Sequence, residues 1–502
     1  MLQTDGVIGR LGSRARSVLV ALVVVAPLVA VVRAWALPPA DAVATGVAPA
    51  AAERVDVKER LARLPIVAGV TELKHPGPAR FFRLRFRLPV DHDRPGGRTF
   101  TLRGTLLHSG VGRPMVMAAS GYYVSTWNLA YRYEVTRIVK GNQLDLEHRF
   151  FKPSRPRKPR WHSQLTIGQA AADQHRIVRA LQRTYGKPWI STGASKGGMT
   201  MTYHRRTYPG DVAGTVAFVA PNDVVDDVDA YDDFQASVGG PSFAGCRNRL
   251  VALQRRLLTE REWFRGRLVR WARHHDQHLT LVGSADRALE VAAIETYYAF
   301  WQYQSAASAC SDVPTATARR GRVWSWVDDV LGWRSVTDEG IRPFVPYYFQ
   351  AATQLGAPAP WEDEVADLLR YPGHDVPATF VPDGLEPLAH DPAAMPDIDE
   401  WVRTSASRML FVYGELDPWS AEPFACGPGG AARECYQRWV PGGNHFADIR
   451  DLPDAARRAT VSRIRAWAGV STSRAAVEAA DRRARRAGPD PARDPARTVA
   501  TP

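Results

Sequence analysis

A serine flanked by glycines lies near the middle of the chain, where residues 193–197 read G-A-S-K-G. The residues just before it, 188–192, have the composition of a short buried strand. Residues 199–207 have the pattern of a helix, which Pro209 ends. A strand, a sharp turn and a helix form the setting in which such a serine is exposed as a nucleophile. The sequence therefore predicts Ser195 as a nucleophile, and the G-x-G-x-x-G spacing of a dinucleotide loop is absent here.

A serine hydroxyl needs a base to take its proton, and the base needs an acid that fixes its tautomer. The stretch "VYGELDPWS" places Asp417 just after an apolar run, and "VPGGNHFADI" places His445 after the next one. The chain order Ser, Asp, His, with each later residue in a loop after a strand, is typical of sheets that carry this serine turn. We predict a triad of Ser195, Asp417 and His445. The alternatives are Glu415 for the acid and His390 for the base.

Acyl transfer also needs two N–H groups that stabilise the negative oxygen of the transition state. One is predicted at Lys196, the residue after the nucleophile. The other is predicted at Gly121 or Tyr122, in the loop "ASGYYVS" that follows an early apolar run at 114–120. This second position stays open between the two residues.

The elements that position these residues alternate between strands and helices. Strands are predicted at 80–88, 99–108, 114–120, 143–150, 188–192, 213–220, 408–413 and 436–440, and helices at 166–185, 199–207 and 453–467. Between 223 and 397 the chain is rich in aromatic and charged residues and has no clear buried strand. The pattern predicts an α/β protein with a mostly parallel sheet, led by an antiparallel hairpin and interrupted by a helical cap.

These elements divide the chain into six parts. The predicted parts are a signal peptide or anchor at 1–36, a linker at 37–54, the first half of the sheet domain at 55–222, the cap at 223–397, the second half of the sheet domain at 398–468, and a disordered tail at 469–502.

The formal charge of +13 raises the possibility of a nucleic-acid partner. The clearest basic run, residues 149–160, is broken by three prolines and is surrounded by no nucleic-acid-binding motif. We interpret it as a solvated loop. The sequence therefore predicts no nucleic-acid partner.

The N-terminus has the three parts of an export signal. Arginines precede an uncharged apolar run at 17–32, and Ala34-Trp35-Ala36 follows as a small-x-small cleavage site. We predict secretion. The alternative is a retained membrane anchor, because the apolar run is only slightly short for a span.

The four cysteines fit an oxidising compartment and allow three pairings. We favour Cys426 with Cys435, which flank a glycine-rich turn, and Cys246 with Cys310. A zinc site is not predicted, because no C-x-x-C spacing occurs. The predicted chemistry needs no metal and no organic cofactor.

Several stretches together resemble the secreted bacterial prolyl tri/tetrapeptidyl aminopeptidases, which are serine peptidases of the α/β-hydrolase fold. They are "QLDLEHRFF", "LTIGQAAADQHRIV", "WISTGASKGGMTMTYHRRTYPGDVAGTVAFVAPNDV", "YYFQAATQLG", "YGELDPWS" and "GGNHF". The resemblance extends over residues 55–468. It implies Ser195 as nucleophile, Asp417 as acid and His445 as base. It also implies peptide substrates, from whose N-termini short peptides are released, often after proline.

Two other functions use the same scaffold. The first is an esterase or other acyl hydrolase, since a fold does not set its substrate. The second is a catalytically silent surface binding protein, against which an intact triad argues.

An exopeptidase that acts at the N-terminus must recognise a free amine, and a carboxylate in a capped cavity is the simplest device for this. Within the predicted cap, "IETYYAFWQY" sets Glu295 among aromatic residues. We predict Glu295, Tyr298 and Trp301 as substrate-binding residues. The alternatives are a core helix whose Glu295 faces solvent or an arginine, and an amine anchor in the acidic run 223–233.

Overall fold

The computed structural model describes residues 55–124, 131–224 and 229–486. The predicted signal segment, the predicted linker and the last part of the predicted tail, residues 487–502, lie outside the described residues. Within the three described ranges, no helix is both long and apolar enough to cross a bilayer.

Nine strands form one sheet in the order β1-β2-β3-β5-β4-β6-β7-β8-β9. Strands β1, β2, β3 and β5 pair antiparallel, and all pairs from β5 through β4 to β9 are parallel. The central parallel strands β4, β6, β7 and β8 are buried along their whole length, because helices cover both faces. The strands are β1 (Val67–Leu73), β2 (Arg80–Pro89), β3 (Thr99–His108), β4 (Met115–Ala119), β5 (Asn142–Leu146), β6 (Trp189–Ala194), β7 (Gly214–Phe218), β8 (Met409–Gly414) and β9 (Cys435–Val440).

Sixteen α-helices lie within the described residues. The helices of the sheet domain cover the two faces of the sheet, and the first of them begins at residue 57. In chain order the helices are α1 (Val57–Ala62), α2 (Glu134–Val139), α3 (Trp161–Gln164), α4 (Ile167–Leu181), α5 (Lys196–Thr207), α6 (Ala230–Ser237), α7 (Ala244–Thr259), α8 (Arg261–His274), α9 (Ala285–Tyr303), α10 (Ala306–Ala309), α11 (Arg320–Val330), α12 (Asp338–Ile341), α13 (Val345–Gln350), α14 (Ala394–Thr404), α15 (Asp454–Trp467) and α16 (Arg474–Ala484).

The predicted sheet elements are confirmed, and the sheet with its serine turn and late acid and base loops is an α/β-hydrolase fold. Strand β1 and helices α1, α2 and α3 were not predicted. Strand β5 ends at Leu146, four residues before the predicted end. Beyond it, Glu147 pairs with Arg103, and Arg149 is fully buried against Asp173. The description of the whole run 149–160 as a solvated loop is therefore wrong at Arg149, whose charge has a structural partner.

The segment between β7 and β8 is helical, as predicted, and has its own hydrophobic core. Helices α7, α8, α9 and α11 supply most of that core, and the disulfide Cys246–Cys310 ties α7 to the turn after α10. Helix α14 packs instead on the sheet domain, where Met395 and Ile398 belong to the same cluster as Phe411. The sheet domain therefore resumes a few residues before the predicted boundary at 397.

The predicted disordered tail is wrong for residues 474–484, which form helix α16. Val477, Ala480 and Ala484 bury one face of the helix against the sheet domain. The Asp481 carboxylate accepts a hydrogen bond from Nε of Arg457 at 2.8 Å. An Ala/Arg-rich composition is typical of disorder, but here small side chains allow close helix packing.

Candidate active site

The predicted serine turn joins β6 to α5 without an intervening loop, because β6 ends at Ala194 and α5 begins at Lys196. Ser195 has φ 54° and ψ −132°, a conformation that a residue with a side chain rarely adopts. Its N–H donates to the carbonyl of Phe218 on β7 at 2.9 Å, which fixes the turn to the sheet. The side chain lies on a cavity wall, so its hydroxyl is available for chemistry.

The glycine after the turn is required by packing. A Cβ at Gly197 would lie 2.1 Å from the carbonyl oxygen of Ala119, where β4 ends. We expect Gly197→Ala to destabilise the protein by about 1–3 kcal/mol, the usual cost of overpacking, and to reduce activity through the displaced turn. Gly210→Ala is the matched control, because a Cβ there meets nothing within 4 Å. Thermal unfolding checks this, and equal melting temperatures for the two variants would contradict it.

The structure brings the predicted acid and base together at one end of the sheet. Nδ1 of His445 lies 3.0 Å from both carboxylate oxygens of Asp417. Asp417 is fully buried and also accepts hydrogen bonds from the Ser420 hydroxyl at 2.8 Å and the Trp419 N–H at 3.3 Å. A proton held on Nδ1 by this carboxylate leaves Nε2 as the basic nitrogen of the ring. His445 lines the same cavity as Ser195.

The acid and base loops leave adjacent parallel strands, so they start side by side. Gly414 at the end of β8 is in register with Val440 at the end of β9. Beyond the strands, the Leu416 N–H donates to the carbonyl of Gly443 at 2.7 Å. The disulfide Cys426–Cys435 joins the segment after Asp417 to the first residue of β9. Both predicted disulfide pairings are therefore present.

The two alternative triad members lie outside the site. Glu415 is exposed and accepts a hydrogen bond from the Gly442 N–H at 3.0 Å. His390 is also exposed, and its ring lies 3.3 Å from the Ala352 carbonyl oxygen. Neither side chain lines the cavity.

The predicted oxyanion loop lies against the first turn of α5. A Cβ at Gly121 would lie 2.7 Å from the carbonyl carbon of Lys196, and Gly121 has φ 79°, which favours glycine. The Lys196 N–H is at the first position of α5, where an N–H has no partner within its helix. The Tyr122 N–H donates to the Ser120 hydroxyl at 3.1 Å. The two chain segments thus meet beside Ser195, and the donors remain predicted as Lys196 with Gly121 or Tyr122.

The side chain of Lys196 runs into the protein. It is buried, and its Nζ lies 5.9 Å from the Tyr122 ring centroid and 5.7 Å from that of Phe151. Burial lowers the pKa of this ammonium to about 7. The contact with Tyr122 ties the residue after the nucleophile to the oxyanion loop.

A cavity of about 320 Å³ lies between the sheet domain and the cap. Its size is at the lower end of the range of roughly 300–1,000 Å³ for ligand pockets. The sheet domain contributes Ser195, Tyr122 and His445, and the cap contributes one face of α9 and a proline-rich stretch at 357–361. No group of three acidic, histidine or cysteine residues placed to hold a metal is found in the described part of the chain.

Two of the three residues predicted to bind substrate lie on this cavity. Glu295 and Tyr298 are one helical turn apart on α9 and both line the wall. The prediction for Trp301 is wrong, because it is fully buried in the cap core against Phe243 and Phe300. Trp301 is six residues after Glu295, which is about one and two-thirds helical turns. The two side chains therefore lie on different faces of α9.

Glu295 is partly buried on the cavity wall, and this burial raises the pKa of its carboxyl group to about 7. A charged carboxylate is costly in such a place unless a cation or hydrogen-bond donors accompany it. The acidic run that was the alternative amine anchor supplies no residue to the cavity from its described members, 223–224 and 229–233. Within it, Asp229 instead caps the N-terminus of α6.

Trp419 and Asp375 are among the residues of the cavity wall that were not predicted. The ring of Trp419 lies 5.4 Å from that of Tyr298. Trp419 is two residues after Asp417, and this spacing could have indicated that it lies near the active site. Asp375 lies in the cap between α13 and α14, in the stretch "GHDVPA", which has no periodicity or motif. Only the folded cap brings it to the cavity.

Comparisons with known proteins show the family of the chain. The family model described as PS-10 peptidase S37 matches residues 50–499. The chain is 45% identical over 421 residues to the prolyl tri/tetrapeptidyl aminopeptidase of Streptomyces mobaraensis, covering 84% of this chain and 86% of that protein. It is 32% identical over 104 residues to the lysosomal Pro-X carboxypeptidase of Mus musculus, covering 19% and 21% of the two chains. The solved structure of Rv0554 from Mycobacterium tuberculosis is 12% identical, with a TM-score of 0.34 over 77% of this chain and all of that one.

Proposed function

This chain belongs to the S37 family of serine peptidases, and we propose that it releases short peptides from the N-termini of polypeptides, with a preference for cleavage after proline. The name of the Streptomyces mobaraensis relative, a prolyl tri/tetrapeptidyl aminopeptidase, supports the size of the product and the proline preference. The observation that carries the proposal is a single capped cavity that holds both the nucleophile and the carboxylate of Glu295.

Ser195 begins the proposed reaction by attacking the scissile carbonyl while His445 takes its proton. Asp417 holds the imidazole in the required tautomer and stabilises its positive charge. The Lys196 N–H, with that of Gly121 or Tyr122, donates to the negative oxygen, and each such donor contributes roughly 3–4 kcal/mol. His445 then protonates the leaving amine, and water attacks the acyl-enzyme with His445 again as base.

The cap explains why such an enzyme would release peptides of a fixed short length from the N-terminus. A chain that enters the cavity ends against the cap wall, so the length of the cavity limits the number of residues beyond the scissile bond. The wall near the triad is aromatic, with Trp419 and Tyr298 in contact and Tyr231 packed on Trp419. A flat apolar wall of this kind suits the ring of proline.

Export is part of the proposal. Two disulfides within the described residues fit an oxidising compartment. The N-terminal sequence has the three parts of a signal peptide, with retention as an anchor as the alternative. Mass spectrometry of the N-terminus of protein recovered from culture medium distinguishes cleavage from retention.

A panel of chromogenic peptides of one to four residues, each with a free or an acetylated N-terminus, tests the proposed function. We expect turnover of free tri- or tetrapeptides that end in proline, and little turnover of their acetylated forms. Equal turnover of both forms would contradict an exopeptidase. Activity on acyl esters without activity on peptides would indicate an esterase.

Glu295→Gln should raise KM for free-amine peptides, because it removes the charge from one partner of a charge-assisted hydrogen bond. Such a contact is worth roughly 1.5–3 kcal/mol. We expect the loss on free-amine peptides to exceed the loss on small acyl esters by most of this amount. Steady-state kinetics on both substrates check this. Equal losses of kcat/KM on both would show that Glu295 does not bind the amine.

A further inference from the structure

A second carboxyl group shares the cavity with Glu295. Asp375 lines the wall and is only 9% exposed, and Glu295 is the neighbouring charge that contributes most to raising its pKa. Burial is the larger cause, and Glu362 adds a smaller repulsion. The two acids therefore lie on the wall of one cavity, where the charge of Glu295 adds to the raised pKa of Asp375.

Several other buried carboxylates of this protein have an arginine partner. Asp173 accepts from Arg149 at 2.7 Å, and Glu290 accepts from Arg261 at 2.6 Å. Within the described ranges, neither Glu295 nor Asp375 forms an ion pair with a lysine or arginine, and burial is the one cause of the raised pKa of Glu295. The charged forms of two buried acids are costly without a cation, so a cation that enters the cavity would stabilise both carboxylates.

The wall around the pair leaves further polar atoms without partners. Within the described part of the chain, Asp375 Oδ1, the Tyr298 hydroxyl and Trp419 Nε1 are buried and form no hydrogen bond. All three residues line the cavity. A buried polar atom without a partner costs about 1–3 kcal/mol, and such atoms call for a specific explanation. The three atoms belong to residues of one cavity wall, and a bound ammonium group with the peptide carbonyls behind it would supply the kinds of partner that they lack.

We propose that Glu295 and Asp375 together bind the N-terminal ammonium of the substrate, with Asp375 as the second carboxylate that selects a free amine. This inference rests on the exopeptidase function proposed above. An ammonium has three N–H donors, so it can bond to both acids at once and replaces the missing cation. An acetylated N-terminus has one uncharged donor and places a carbonyl oxygen towards two acids. The Tyr298 and Trp419 donors then bond to carbonyls of the first residues.

The test compares Asp375→Asn with Asp383→Asn, which removes an exposed acid of the same cap outside the cavity wall. Each protein is assayed on Ala-Ala-Pro-p-nitroanilide and on its N-acetylated form. We expect Asp375→Asn to lower the ratio of the two kcat/KM values, free over acetylated, by roughly 10- to 100-fold. The control should keep the wild-type ratio. We also expect the melting temperature of Asp375→Asn to be equal to or above that of the wild type, because the repulsion is gone.

The outcomes separate this inference from the proposed function. A wild-type enzyme that turns over both substrates equally would contradict the exopeptidase itself. A wild-type preference for free amines that survives in Asp375→Asn would overturn the role of Asp375. Equal losses on both substrates with a lower melting temperature, or failure to fold, would make Asp375 a structural residue and overturn the inference as well.

Discussion

Ser195→Ala should lower kcat for a free-amine tripeptide substrate by on the order of a millionfold, because the members of a triad act as a unit. Alanine has no hydroxyl to attack the carbonyl, so no acyl-enzyme forms. The backbone at this position is strained equally for serine and alanine, and we expect an unchanged melting temperature. The measurement is kcat under saturating substrate, together with thermal unfolding.

Ser335→Ala is a suitable control for this variant. Ser335 also borders the cavity, but its hydroxyl donates to the Gly332 carbonyl at 2.8 Å. Its loss should change kcat by no more than a few-fold, in line with a small effect of a surface substitution. Retention of more than about one per cent of activity in Ser195→Ala would reject the nucleophile, since triad variants lose far more.

Asp417→Asn should lower kcat by roughly 10⁴-fold while the protein stays folded. The carboxamide can present an N–H₂ group to Nδ1 of His445, which shifts the ring proton to Nε2. The ring then has no basic nitrogen for the serine hydroxyl. The measurement is kcat for the same tripeptide substrate, and its fall should be much larger than any change in KM.

Glu415→Gln is the matched control for the acid. Glu415 is two residues away, was the alternative acid, and is exposed in the structure. We expect a change of a few-fold at most, as for other exposed substitutions. A large loss of kcat in Glu415→Gln with a small loss of kcat in Asp417→Asn would make Glu415 the acid of the triad in place of Asp417.

The serine turn and the position of the triad loops could be predicted because they follow from local rules. A residue in a strained turn between a strand and a helix needs glycines nearby, and Gly197 contacts the end of β4 closely enough to show why. The carboxyl ends of parallel strands lie at one edge of a sheet, so Asp417 and His445 had to come near each other. Their 3.0 Å contact follows from neighbouring strands in register.

The cap side of the cavity could not be predicted to the same depth. Helix α9 is surrounded by protein on several faces, so its apolar pattern does not tell which aromatic residues face the cavity. Tyr298 does and Trp301 does not. Asp375 comes from an irregular segment eighty residues after Glu295, and only tertiary packing places both residues on one cavity wall.

The C-terminal helix was missed for a different reason. Helix α16 is stabilised by a few small side chains and by the pair Asp481–Arg457. None of these contacts leaves a clear signal in the sequence. The Ala/Arg-rich composition, considered alone, favours disorder. The stabilising partner lies on α15, and no local rule identifies it.

Labelling with a serine-directed organophosphonate, followed by peptide mapping, tests directly whether Ser195 is the nucleophile. We expect one adduct per chain, on Ser195, formed in parallel with loss of peptidase activity. We also expect that Ser195→Ala takes up no label. An adduct on another residue, or full activity in protein whose Ser195 is modified, would show that Ser195 is not the nucleophile.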